Sequence, residues 1–232
     1  MTKAEKREKL SWFLFMIGYF TAGYLAINWF SQARTNFYNV GFGFENQIPF
    51  MPIFIFGYLL VYLSVILFYV VIDDINDWQQ GVITFLTSTT LAYIVFLIFP
   101  VRMDLRPDLY VYADSSIPLA VTRFYYYIDA PYNLFPSLHV TYPALAALVA
   151  WKNHKTVRWV FAAMAVVVAV SVVLVKQHYI ADVVAGFANA GVCFFVAVYA
   201  QRYLKKRATA KIIKTLEDDC EDPSTRKCTC AG

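Results

Sequence analysis

The chain has 232 residues, of which 59% are hydrophobic, 18% aromatic and only 16% charged. A soluble domain is about half apolar and about a quarter charged, so this composition excludes an ordinary soluble enzyme and indicates a membrane protein. The formal net charge of +4 reflects basic residues clustered at the chain ends and is no argument for a nucleic-acid partner.

The first apolar run, Leu10–Phe30, follows the basic stretch Lys3, Lys6, Arg7 and Lys9. It is longer than the apolar segment of a signal peptide and lacks a small-x-small cleavage pattern, so a retained helix is expected. Further runs follow at Pro52–Ile72, Val82–Phe99, Pro136–Trp151, Trp159–Val175 and Tyr179–Ala200. A span needs roughly 20 residues, and only the fourth run, at about sixteen, is short. Counting it gives an all-α, polytopic bundle of six transmembrane helices. One membrane domain over residues 10–204 is expected, between a basic N-terminus (1–9) and a charged, disordered tail (205–232).

Pro49 and Pro52 suit the first turn of the second helix, and Glu45 is expected to cap it. Pro100 ends the third helix and opens a long connection, 101–135. Its aromatic residues Phe124 to Tyr127 and Tyr132 are of the kind that sits at a membrane interface, so a short interfacial helix is predicted at Ile117–Ile128.

Six spans put the N-terminus, the 73–81 and 152–158 loops and the tail on one side. That side holds Lys3, Lys6, Arg7, Lys9, Lys152, Lys155, Arg158 and every Lys and Arg after Ala200. The other holds only Arg34, Arg102, Arg106, Arg123 and Lys176. The positive-inside rule then predicts an integral membrane protein with cytoplasmic termini. Of the four cysteines, Cys220, Cys228 and Cys230 fall in the tail, where a reducing compartment argues against disulfides and three thiols at that spacing are weak support for a metal. The Lys205-Lys206-Arg207 run reads as a juxtamembrane anchor.

The sparsely charged side carries the chemistry. His178 and Asp182, four residues apart, share one face of a helix, and a carboxylate that orients an imidazole suits a nucleophile or general base. Parity brings the end of the third helix with Arg102 and Arg106, the start of the fourth with Ser137 and His139, and Lys176 to the same face. Cationic side chains and a helix N-terminus describe a phosphate site. Two histidines beside it can divide the work, one attacking phosphorus and the other protonating the departing oxygen. His154 is read as an ordinary loop residue. Asp104, Asp108, Asp114 and Asp129 are read as loop solvation or local pairing.

These residues resemble the type 2 phosphatidic acid phosphatase superfamily. Arg106-Pro107 matches the end of its first motif and Pro136-Ser137-Leu138-His139 its second, with Leu for Gly. Ser171, His178 and Asp182 match its third. The Leu variant resembles the branch that holds inositol phosphorylceramide synthases and prokaryotic lipid phosphatases. Phe99 and Val172 stand where the family has Lys and Arg, and Lys176 and Arg102 are the expected substitutes. The resemblance implies His178 as nucleophile forming a phosphohistidine, Asp182 as its orienter and His139 as general acid. It implies Arg106 and Ser137 as phosphate ligands and neither metal nor cofactor. The expected activity is hydrolysis of a lipid phosphate or diphosphate at the extracytoplasmic leaflet. The alternatives are head-group transfer of the inositol phosphorylceramide or sphingomyelin synthase type, and non-catalytic lipid-phosphate binding.

Overall fold

The computed structural model describes residues 2–112, 116–151 and 153–221. Asp114, Lys152, Cys228 and Cys230 lie outside the described residues, as does the side chain of Cys220. Helix α1 (Lys3–Gln32) starts well before its apolar run because Thr2 and Glu5 form a reciprocal capping box, Glu5 N–H donating to Thr2 Oγ1 at 3.2 Å and Thr2 N–H to Glu5 Oε2 at 2.7 Å. The flanking basic residues are thereby wound into helix. Lys9 turns inward, donates to the Ile72 carbonyl at 2.7 Å and lies against the Tyr69 and Trp78 rings.

The second span, Pro52–Val71, is interrupted: a 3-10 turn (Pro52–Phe54) leads into α2 (Ile55–Tyr58) and then α3 (Leu60–Val71). Helix α4 (Ile75–Ile98) also begins earlier than hydrophobicity alone predicts, since Asp74 caps it by accepting from Asn76 N–H and Asp77 N–H. Helix α5 (Ile117–Ile128) lies where the interfacial helix is predicted. Helices α6 (Leu138–Ala150) and α7 (Val157–Leu174) follow, then α8 (Ile180–Glu221). Among the described residues five helices are long and apolar enough to cross a membrane, and α6, at 13 residues, is a shorter apolar one. The architecture is an all-α polytopic bundle.

The chain divides into two compact units, Met1–Phe194 and Phe195–Gly232. The first holds the core, built around α6. No α6 residue is exposed, as expected of a helix apolar on every side and packed by α3, α4 and α7. Polar contacts tie α8 to it: Asn189 Nδ2 reaches the Ser88 carbonyl and Thr141 Oγ1, and the Thr141 hydroxyl lies 3.0 Å from the Gly186 carbonyl. A Cβ on Gly186 would come within 2.6 Å of the Ser137 carbonyl, so this close approach requires glycine. The second unit is helical through Glu221, into the tail (205–232) that is expected to be disordered. Its Lys, Arg, Ala, Ile, Leu and Glu residues are helix-compatible, and no proline interrupts them before Pro223.

Candidate active site

Three chain segments converge at one end of the first unit: the N-terminus of α6, the turn between α7 and α8, and the 129–135 stretch after α5. Helix α7 ends in a Schellman arrangement. Gln177 N–H donates to the Val172 carbonyl at 2.8 Å and Lys176 N–H to the Val173 carbonyl at 3.1 Å, with Lys176 left-handed at φ 51°. Val172, at the position of the family arginine, is fully buried and serves through its carbonyl.

The turn delivers His178 into the site. Its Nδ1 lies 3.3 Å from Asp182 Oδ2, which also accepts Tyr179 N–H at 2.8 Å. His178 Nε2 faces His139 Nδ1 at 3.1 Å, and His139 Nε2 lies 2.9 Å from the Tyr58 hydroxyl. Tyr58 donates to Asp129 Oδ2 at 3.4 Å, and Tyr24 donates to the other oxygen. A carboxylate only accepts, so His178 Nδ1 carries a proton; in the neutral imidazole that a nucleophile requires, Nε2 presents a lone pair and His139 Nδ1 donates to it.

Arg106 stacks its guanidinium 4.4 Å from the Tyr126 ring centroid, donates Nη1 to the Asp129 carbonyl at 2.8 Å and Nη2 to Gln177 Oε1. Arg106 Nε, Gln177 Nε2 and Ser137 Oγ are buried donors without a partner among the described residues. Unpaired buried donors beside two imidazoles suit an anion. Ser137 also ties α6 to α8, its N–H donating to the Asp182 carbonyl at 3.1 Å.

Two predicted phosphate ligands are directed elsewhere. Arg102 is exposed and pairs with Asp104 at 2.8 Å against the Phe37 ring. Lys176 donates its ammonium to the Glu45 carbonyl at 3.0 Å. Burial pushes its pKa down, and the Glu45 carboxylate pulls it part of the way back. Left-handed backbone at 176 aims that side chain away from the histidines and turns Gln177 toward them. Glu45, expected to cap the second helix, instead accepts Ile180 N–H at 3.1 Å and so caps α8. Asp129, read as a loop carboxylate, belongs to the site. Tyr58 and Gln177 carry no sequence signal beyond being polar groups at the ends of apolar runs. His154 sits in its loop 3.4 Å from Asp77. Among the described residues no group of three His, Cys, Asp or Glu side chains is placed to hold a metal ion.

A cavity of about 350 Å³ opens from this cluster into the bundle. His139, His178, Arg106, Gln177, Asp129 and Asn133 edge its polar end, and Phe13, Ile17, Phe20, Val65 and Phe85 line the rest. From Tyr24 to Phe13 along α1 it runs about 16 Å at the helical rise of about 1.5 Å per residue.

No curated protein and no solved structure matches the chain. A family model described as the PAP2 superfamily matches residues 45–196 of the 232, a range that holds Arg106, the α6 N-terminus and the His178–Asp182 pair. With its phosphatase-type motifs and paired histidines inside the matched range, the chain belongs to the PAP2 superfamily.

Proposed function

We propose that the protein is a membrane phosphatase acting on a lipid phosphate or diphosphate through a phosphohistidine, with its active site at the extracytoplasmic leaflet. The observation that carries the lipid assignment is the apolar cavity continuous with the two histidines, which offers a hydrocarbon chain a place inside the bundle while the head group meets Arg106 and Gln177. The excess of basic residues toward the opposite face supports the leaflet assignment.

His178 Nε2 attacks phosphorus, forming a P–N bond as the P–O bond to the lipid breaks, and Asp182 stabilises the imidazolium that develops. The departing oxygen takes the Nδ1 proton of His139 and leaves as an alcohol, or as a phosphate from a diphosphate. Water then gives a proton back to His139 Nδ1 while its oxygen displaces His178, releasing phosphate. Arg106 Nε and Gln177 Nε2 hold the non-bridging oxygens. An acceptor hydroxyl could replace water through the same steps, which is the head-group transfer alternative.

The test is turnover by purified protein in detergent of a long-chain phosphatidic acid, a prenyl diphosphate and glycerol phosphate, with and without a hydroxylated acceptor lipid. Release of phosphate with the tailed substrates favoured about a hundredfold in kcat/KM supports the reading. Equal turnover of glycerol phosphate would remove the lipid assignment, and a new phosphodiester lipid in place of free phosphate would establish transfer.

A further inference from the structure

We propose that Asp129, acting through the Tyr58 hydroxyl, is a second carboxylate of this site that holds His139 doubly protonated and ready to protonate the leaving oxygen. This rests on the reading of His139 as general acid. His178 has its own carboxylate in direct contact, Asp182 at 3.3 Å. Among the described residues His139 touches none directly. Its Nε2 meets Tyr58 Oη at 2.9 Å, and that hydroxyl meets Asp129 Oδ2 at 3.4 Å.

The proton count follows from the partners. His139 Nδ1 must donate, because His178 Nε2 is a lone pair. If Tyr58 gives its one proton to Asp129, then His139 Nε2 must donate as well, and the imidazole is a cation. If Tyr58 turns its proton toward His139, the imidazole is neutral. Rotation of one hydroxyl therefore serves both states without moving a heavy atom.

The groups that face His139 are His178, Tyr58, Asp129 and Arg106, with Asp182, Tyr24 and Tyr62 one contact further out. Arg106 opposes a cation there, and so would a protonated His178. Asp129 is the closer favourable charge, since Asp182 lies beyond His178. Tyr58 is fully buried, and its ring also packs on the imidazole with centroids 4.7 Å apart. Tyr24 fixes the second carboxylate oxygen, and Arg106 fixes the Asp129 backbone. The carboxylate is thus held facing the hydroxyl from two sides. During the first half-reaction Nδ1–H goes to the leaving oxygen, while Nε2–H stays on His139 against Tyr58. Water restores Nδ1–H in the second. No net proton passes through Tyr58, so Tyr58 and Asp129 are positioning residues.

The experiment compares dodecyl phosphate with a nitrophenyl phosphate carrying the same dodecyl chain. The nitrophenolate leaves without a proton, so only the alkyl ester needs the acid. Tyr58→Phe and Asp129→Asn should each lower the alkyl-to-aryl ratio of kcat at least about tenfold, within the usual contribution of a general acid. The ratio is taken within one preparation, so partial misfolding cancels. The alkaline limb of the alkyl pH profile should move to lower pH by about one unit in Asp129→Asn, because a cation that loses its counter-charge gives up its proton sooner. Asp129→Glu should restore part of both. Ratios and pH limbs matching the parent in both Tyr58→Phe and Asp129→Asn would overturn the proposal. His139→Gln is the separate control: if it slows both esters equally, the acid assignment itself fails.

Discussion

The imidazoles of His139 and His178 lie in direct contact, Nδ1 to Nε2 at 3.1 Å, although their positions in the chain are 39 residues apart. On the proposed mechanism the contact spans the space that phosphorus enters, so the phosphoryl group wedges the two rings apart before attack. Binding would then compete with an internal hydrogen bond, a cost that burial of the proposed lipid chain in the cavity would offset.

Replacing His178 by Ala removes the proposed nucleophile. Turnover should fall about a thousandfold or more, and no acid-labile phosphoenzyme should accumulate after a quench at alkaline pH. A labelled phosphohistidine that persists in this variant would move the nucleophile elsewhere.

Asp182→Asn keeps the shape but not the charge that fixes the His178 tautomer. A fall of about 10³–10⁴-fold in kcat with little change in KM is expected, as for other triad aspartates. Single-turnover kinetics separates this from a binding defect, which would raise KM alone.

Arg106→Lys and Gln177→Ala should weaken substrate binding, each by about 1.5–3 kcal/mol, since each removes a donor to a charged oxygen and Lys lacks the planar fork. Lys176→Met, in contrast, should leave KM within about twofold. It should lower thermal stability by about 1–3 kcal/mol through the lost bond to the Glu45 carbonyl. Inhibition by orthovanadate measured across the three variants reads the distinction, and a tenfold weakening in Lys176→Met would return that residue to the phosphate site.

Gly186→Ala places a methyl against the Ser137 carbonyl. Backbone cannot yield as a side chain can, so α8 should shift from α6 at a cost of about 1–3 kcal/mol. Because His139 and His178 stand on opposite sides of that contact, activity should fall more than the melting temperature implies. A variant as active as the parent after correction for folded fraction would show that the spacing is not set there.

The apolar helices, the helix at Ile117–Ile128 and the His–Asp pairing were legible because each is a local pattern: a run, an aromatic cluster, a short spacing. His178 nonetheless pairs with Asp182 from the turn before α8 and not from one helix face. Helix ends were less so, since Thr2 and Asp74 extend α1 and α4 beyond their apolar residues by capping. Tyr58 was hidden among the many tyrosines of a membrane chain, and its role exists only through Asp129, which lies 71 positions away. Lys176 was misdirected by proximity in sequence, because charge near a histidine says nothing about a left-handed backbone that carries the buried side chain to the Glu45 carbonyl instead. Glu45 caps a helix whose start lies 135 residues downstream, a relation no local spacing carries.

Helix α6 has 13 residues, about 20 Å against a hydrocarbon core of roughly 30 Å, yet none of them is exposed. Protein therefore surrounds most of it, packed by α3, α4 and α7. On the proposed placement of the site, the shortfall sets His139, in the first turn of α6, below the level of the outer head groups. On the proposed mechanism, the released alcohol still has its chain in the cavity beside the histidines. The proposed mechanism then orders the events: the alcohol clears the histidines before the hydrolytic water takes its place, so the lipid product departs first and phosphate last.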